Sequence, residues 1–329
     1  MTDTSRQDEY IKALLGEMKA HKGDSADSVF IGGGTPSALG DKLGIVIDAV
    51  MENFDLLEDA EFTVEVNPGT VDEKLLAMMR EKGVNRLSIG AQSFNDDELK
   101  ALGRIHNKKD IYDAFYAARR AGFENISLDI MLSTPKQTVE SLEKTLSAIE
   151  ELSPEHVSAY SLIIEEGTPF YDMELDTPNE DEEREIYYRT VEFLDKMGLK
   201  RYEISNFARE GCKSRHNIKY WTGQEYLGFG AAAHSYFENI RFSNSPDIEE
   251  YIKGVGRGID KVFIDKEERE RERFMLGLRM SCGVKYQGEF KNEVDALIAK
   301  GLLKIEDGYL KLTKLGFDLG NLVFMEFVK

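Results

Sequence analysis

The 329-residue chain carries 61 acidic against 42 basic residues, a formal net charge of −19. Such an acidic balance works against non-specific binding to nucleic acid or anionic membranes, which need a basic face. Hydrophobic residues at 41% can fill a large core and a smaller one. No run of about 18 apolar residues is present to span a bilayer, and the N-terminal MTDTSRQDEY is no signal peptide. Two cysteines, Cys212 and Cys282, make no disulfide framework and suit a reducing cytosol.

Along the chain, Tyr10, Ile11, Leu14, Leu15 and Met18 share one helical face within residues 8–20. The apolar run Val29-Phe30-Ile31 reads as a buried strand and meets Gly32-Gly33-Gly34-Thr35-Pro36-Ser37. Three glycines hold neither strand nor helix. They let bare backbone approach a ligand, or they make an ordinary tight βα turn. The triplet matches neither GxGxxG nor GxxxxGK[ST]. A helix through Leu43, Val46, Ile47, Val50, Met51 and Phe54 precedes a strand over 62–66 and the turn Asn67-Pro68-Gly69. Then come a helix over 72–82 stopped by Gly83, a strand over 85–89, and helical stretches near 95–102 and 108–121. The spacing continues with a strand over 125–131, a helix over 137–151, a strand over 156–164, a loop over 168–179, a helix over 181–197 and a last strand over 200–205.

This alternation predicts an α/β fold with a parallel sheet, an open or partial (β/α) barrel over residues 1–205. Ligands in such folds bind at the carboxyl ends of the strands. Gly32 to Thr35, Glu65, Asn67, Gln92 and Asp129 are all expected at or just past strand ends. Residues 206–260 read as irregular, with Arg215-His216-Asn217-Ile218-Lys219-Tyr220-Trp221 and a Gly- and Ala-rich stretch over 227–235. Residues 261–329 read as a small α+β domain: helices over 266–280 and 287–300, then a hairpin around Glu306-Asp307-Gly308. It resembles a winged helix. Its 13 Lys+Arg and 12 Asp+Glu give +1, leaving −20 for the rest, and a DNA-reading wing would be more basic.

Eight segments occur in one order: GGGTPS (32–37), EVNPGT (65–70), RLSIGAQSFNDDELKALGRIH (86–106), ISLDIM (126–131), YSLIIEEGTPFY (160–171), RYEISNFA (201–208), HNIKYW (216–221) and YLGFGAAAHS (226–235). Together they resemble the radical S-adenosylmethionine (SAM) family of oxygen-independent coproporphyrinogen III oxidases, and within it the haem-chaperone branch, to which HNxxYW points. The resemblance covers nearly the whole chain. It implies a radical-SAM-type barrel in which Gly32, Gly33, Gly34 and Thr35 lie along the methionine part of SAM. Glu65 would bind through its carboxylate, Gln92 would wall the ligand, Arg104 would meet its carboxylate, and Asp129, ending its strand, would accept from the ribose. The plain alternatives are helix caps for Glu65 and Asp129 and a surface ion pair for Arg104.

The resemblance also associates His216, Asn217, Tyr220 and Trp221 with haem: imidazole suits an axial ligand, and Tyr or Trp a porphyrin face. Cys212 is a weaker thiolate candidate, and the plain alternative for His216 is a satisfied loop histidine. The function implied is haem binding and transfer to haem-accepting apoproteins in the cytoplasm. The other reading is the oxidase of porphyrin biosynthesis. The family's CxxxCxxC, which holds its 4Fe–4S cluster, is not in this chain. Either Met1 is an internal start or the chain is a cluster-free relative. A strand over 29–31 left with an unpaired edge would be a liability, which favours the first. Where the family carries two glycines after Asp129, this chain has Ser133 and Lys136, which puts backbone approach to the adenosine in doubt.

Overall fold

The computed structural model describes residues 4–168, 170–173 and 175–328. In chain order, α1 (Thr4–Lys19) leads to β1 (Ser25–Ile31), α2 (Leu43–Asn53), β2 (Asp55–Val66), α3 (Glu73–Glu81) and β3 (Arg86–Gln92). Two helices, α4 (Asp96–Ala101) and α5 (Lys108–Arg120), precede β4 (Asn125–Leu132), α6 (Val139–Leu152), β5 (His156–Ser161) and α7 (Glu180–Lys196). Strands β1 to β5 lie side by side and parallel, as the alternation predicts. No helix among the described residues is long and apolar enough to cross a membrane.

The two faces of this sheet differ. Val64, Leu87, Ile89, Ile126, Leu128, Ile130 and Val157 are fully buried in one core with Ile47, Leu76, Ile111, Phe115, Leu146 and Ile149 of the helices. Side chains alternate along a strand, so Thr63, Glu65, Arg86, Ser88, Ser127, Asp129, His156 and Ser158 occupy the other face. In register, Glu65, Ser88, Ser127 and His156 form one row across four strands. Parallel sheets are normally apolar on both faces. A polar inner face is what a half-barrel built around a ligand requires.

The expected strand over 200–205 is instead two short pieces, β6 (Lys200–Arg201) and β7 (Asn206–Ala208), paired antiparallel. The Glu203 carboxylate accepts the Ser205 N–H (3.0 Å), and the Tyr202 N–H donates to Asn206 O (3.1 Å), folding the segment back on itself. The sheet therefore ends β5-β7-β6.

Residues 206–260 are more regular than expected. After β7 come α8 (Arg215–Trp221), β8 (His234–Phe237), β9 (Ile240–Ser243), α9 (Ile248–Ile252) and β10 (Ile259–Phe263). The three strands form an antiparallel sheet, so a boundary at 261 cuts through β10. The β8–β9 hairpin escapes sequence reading because Glu238 and Asn239, not a glycine pair, take positive φ (50° and 62°) in its turn.

The last part has a core of its own, including Phe274, Leu278, Val294, Leu297, Leu310, Val323 and Phe327. It comprises α10 (Lys266–Gly277), β11 (Val284–Lys285), α11 (Lys291–Ala299), β12 (Leu303–Glu306), β13 (Tyr309–Leu312), α12 (Lys314–Asp318) and α13 (Gly320–Met325). Asp307 and Gly308 both have positive φ (52° and 78°), the turn that an Asp-Gly hairpin predicts.

Candidate functional site

Gly32 follows directly on β1. A Cβ there would lie 2.6 Å from Phe30 Cε1 and 2.9 Å from the Glu65 carboxyl carbon, so only glycine lets the chain pass. Gly33 and Gly34 have φ of 84° and 70°, conformations that glycine adopts freely. The Gly33 N–H donates to Glu65 Oε2 (3.1 Å), while Glu65 Oε1 has no partner among the described residues. Burial raises the Glu65 carboxyl above its usual range, and Asp129 adds to this. Thr35 caps the next turn without a side-chain bond. Ser37 joins two of the motifs: its hydroxyl lies 2.5 Å from Thr70 Oγ1 and accepts the Asn67 N–H at 3.1 Å.

Gln92 ends β3 with φ 64°, just past a register shift between Ile89 and Gln92. Such a bulge re-aims a side chain. Arg104 is exposed; its backbone N–H donates to Leu99 O (2.9 Å), while its guanidinium hydrogen-bonds nothing among the described residues. Asp129 does not end its strand: three residues of β4 follow it. It accepts from Ser88 Oγ (2.7 Å) and Ser127 Oγ (3.0 Å), and burial raises its pKa. Asp129 therefore sits below the rim, already held by serines, because the strand runs on to Leu132. Neither Glu65 nor Asp129 acts as a helix cap; those places are taken by Asp72 and Thr138.

Ser133 and Lys136 take φ of 57° and 67°. Gln137 Oε1 accepts the Ser133 N–H (2.6 Å), and the Lys136 N–H donates to Asp176 O (2.8 Å). The backbone shape that glycines permit is thus kept by two residues in the left-handed region, at about 1 kcal/mol each. Lys136→Gly is expected to raise stability by about 0.5–1 kcal/mol in a denaturant titration. A lowered midpoint would mean that the lysine side chain contributes contacts of its own.

Beneath the rim runs a chain of hydrogen bonds absent from the sequence reading. The Ser214 N–H donates to Tyr202 Oη (3.3 Å), which bonds His156 Nε2 (2.9 Å). His156 Nδ1 bonds Ser127 Oγ (2.8 Å), and Ser127 donates to Asp129. A carboxylate only accepts, which sets the direction: the phenol donates to His156 Nε2, and Nδ1–H to Ser127. Burial, and then Arg86, push His156 well below the usual histidine range. A neutral buried histidine gives stability that is complete above the unfolded value near 6.5 and is lost as pH falls below it. From pH 6.5 to 5.5 the protein is expected to lose about 1 kcal/mol more than His156→Gln, read from denaturant midpoints. Parallel pH profiles would show that His156 protonates in the fold.

The second cluster lies on α8, along the outer side of β1. The Arg215 guanidinium donates to Asp27 O (3.0 Å), Lys219 pairs with the Asp27 carboxylate (2.8 Å) and His216 Nδ1 bonds Ser28 Oγ (3.0 Å). The edge of β1 is thus covered by side chains of a helix instead of another strand. Glu61, buried on β2, accepts the His216 N–H (3.0 Å) and the Arg215 N–H (2.9 Å) at the start of α8. His216 stacks on Phe30 (ring centroids 5.3 Å apart), and its Nε2 bonds Tyr220 Oη (3.0 Å). Burial pulls His216 down to about 4, so it is neutral near pH 7. Tyr220 packs edge-on to Tyr226, and burial raises its phenol. Trp221 lies under the Arg279 guanidinium (4.7 Å), which Phe324 flanks on another side. Asn217 contributes its N–H to the Ser214 cap.

Glu61, Arg86 and His156 were missed although E-F-T-V-E, R-L-S-I-G and H-V-S-A-Y alternate polar and apolar residues, and Tyr202 had no such signal. That period of two marks an inner polar face in strands that a parallel sheet would otherwise make apolar throughout. The residues present do not suit an iron–sulfur cluster, which is held by thiolates. Cys212 follows β7, Cys282 is exposed after α10, and no three His, Cys, Asp or Glu among the described residues are grouped to hold a metal ion. Burial and Glu155 hold the Cys212 thiol above its usual pKa, away from the thiolate.

The radical SAM superfamily model matches residues 2–149, and the HemN C-terminal domain model matches residues 264–319. The heme chaperone HemW of Bacillus subtilis (strain 168) is 39% identical, over 98% of this chain and 91% of its own. That of Lactococcus lactis subsp. lactis (strain IL1403) is 35% identical, over 98% of this chain and 89% of its own. Among solved structures, coproporphyrinogen III oxidase (HemN) of Escherichia coli superposes with a TM-score of 0.86 at 22% identity, covering 99% of this chain and 84% of that one, a likeness of fold. The chain belongs to the HemW-type family of haem chaperones, which is built on the radical SAM, coproporphyrinogen oxidase-like scaffold.

Proposed function

We propose that this chain binds haem at α8 and passes it to haem-accepting apoproteins, and that the Gly32–Glu65 rim takes the amino-acid end of SAM. The observation that carries the haem reading is the state of α8. His216, Ile218, Tyr220 and Trp221 stand on one short helix of which no residue is fully buried. Tyr220 and Trp221 are each left partly exposed, with ring surface that a ligand can cover. Beside them, the Arg279 guanidinium hydrogen-bonds nothing among the described residues, and the buried Trp221 Nε1 and Arg279 Nε have no acceptor. An apolar ligand carrying carboxylates would cover those rings and give that cation a partner. At the rim, the open space beside Gly33 and Gly34 and the unpartnered Glu65 Oε1 suit an ammonium group.

Titration of the full chain with ferric haem is the test. A saturable Soret shift is expected, with affinity falling about tenfold in Trp221→Ala and haem moving from the loaded protein to an apo-globin. A spectrum identical to that of free haem at every ratio would sink the reading.

A further inference from the structure

We propose that the cleft between α7, β6 and the C-terminal domain takes a phosphate monoester carried on a small apolar body. It shares no lining residue with α8 or with the Gly32–Glu65 rim. Its volume of about 440 Å³ falls within the range of about 300–1,000 Å³ of small-molecule sites. Three of its eight lining residues are cations, Arg201 on β6, Lys304 on β12 and Lys314 on α12, and none is acidic. In a chain with 61 acidic against 42 basic residues, that reverses the overall balance.

The cations are held in place without being neutralised. The Arg201 guanidinium lies over the Phe317 ring (3.7 Å to its centroid), and Lys314 Nζ over the Tyr188 ring (4.0 Å). An aromatic face attracts a cation and leaves its charge in place. Neither side chain has an ion pair among the described residues. One N–H of Arg201 donates to Tyr187 Oη (2.9 Å), whose own proton goes to Ile204 O (3.0 Å). The guanidinium makes no other hydrogen bond among the described residues, and its remaining donors form a fork that fits two oxygens of one phosphate. Lys304 pairs with Glu306 (3.3 Å), but Glu306 also takes Lys311 (2.8 Å), so one carboxylate answers two ammonium groups. Asp318 accepts the Tyr188 hydroxyl and does not line the cleft. Four cations against Glu306 and Asp318 leave a local charge of +2. A phosphate monoester, at about −1.5 to −2 near pH 7, matches that charge; a carboxylate answers half of it.

The phosphate group fills only part of the cleft. Val191 on α7 and Leu312 on β13 line the rest, between the Tyr188 and Phe317 rings. The hydroxyls there are already engaged. Thr313 donates to Gly301 O (2.7 Å) and accepts the Gly316 N–H (3.0 Å), and Tyr188 is bonded to Asp318. A polar body would find few partners, so the walls favour an apolar one. Because α7 and β6 form one side and β12, β13 and α12 the other, the bound ligand ties the barrel to the last domain.

The test is calorimetric titration of the full chain with phenyl phosphate, inorganic phosphate and benzoate. Phenyl phosphate is expected to bind saturably, about fivefold or more tighter than either of the others, and to raise the thermal midpoint. Lys314→Gln changes an exposed side chain and is expected to lose about fivefold in phenyl phosphate affinity with the midpoint of the free protein unchanged. Arg201→Lys keeps the charge, removes the fork and is expected to weaken binding as well. Lys300→Gln, outside the cleft, is expected to bind as the wild type does. Inorganic phosphate binding as tightly as phenyl phosphate would reduce the cleft to a surface charge patch. Benzoate binding as tightly would overturn the phosphate assignment. Unchanged phenyl phosphate affinity in Lys314→Gln and Arg201→Lys, or no saturable binding in the wild type, would overturn the site itself.

Discussion

Glu61→Ala is expected to lower stability by about 3 kcal/mol and to remove haem binding at α8. Glu61 is 7% exposed and points from β2 to the first turn of α8. There Oε1 accepts the His216 N–H and the Ser214 hydroxyl (3.4 Å), and Oε2 accepts the Arg215 N–H. The first N–H groups of a helix have no partner within it, and the helix dipole favours a negative charge beside them. A hydrogen bond to a charged group contributes about 1.5–3 kcal/mol, and leaving buried donors unpaired costs a similar amount. Alanine removes three such bonds at once and water recovers part of them, hence a figure near 3 kcal/mol and not the sum. Glu61→Gln keeps one carbonyl oxygen and should lose about half as much. Ser214→Ala, which removes the cap on the Asn217 N–H and one long bond to Glu61, should cost about 1 kcal/mol. Denaturant unfolding gives the order of the three variants, and haem titration shows whether the site went with the helix. A Glu61→Ala protein within about 0.5 kcal/mol of wild type would mean that Arg215 and Lys219 hold α8 unaided.

That Glu61 went unnoticed in the sequence while Glu65 stood out shows what such reading can see. Glu65 follows an apolar strand and precedes Asn-Pro-Gly, so local punctuation exposes it. Glu61 has no punctuation; its partner lies more than 150 residues away on α8. The five parallel strands were legible because each is a short apolar run closed by glycine, proline or a helix cap. The antiparallel turn at 202–205 was not, because Glu203 and the Tyr202–Asn206 hairpin bond create it through local geometry rather than residue type. Asp129 was placed one layer too high, since periodicity fixes the face a residue occupies and not where the strand stops. His216 was read as a candidate iron ligand from its motif, with a satisfied loop histidine as the alternative. Only the fold shows its ring nitrogens engaged, Nδ1 by Ser28 on β1 and Nε2 by Tyr220.

Gly32→Ala is expected to injure both clusters together, because Phe30 lies between them. The new methyl would stand 2.6 Å from Phe30 Cε1 and 2.9 Å from the Glu65 carboxyl carbon, closer than real Cβ contacts come. Overpacking of this kind costs about 1–3 kcal/mol. Glu65 can yield only by leaving the Gly33 N–H, and Phe30 only by pressing on the His216 ring it stacks against. SAM affinity should fall about tenfold or more, and haem affinity by a smaller factor, since Phe30 positions His216 only through its face. Gly33→Ala is the control. Its added methyl meets nothing within 4 Å, and its φ of 84° costs about 1 kcal/mol in strain. That variant should weaken SAM and leave haem alone. Calorimetric titration of both variants with both ligands separates the cases. Haem binding untouched in Gly32→Ala would show that the Phe30 ring swings clear of His216, and that the rim and α8 act independently. A parallel loss, absent in Gly33→Ala, would make Phe30 the contact through which occupancy at the rim reaches α8.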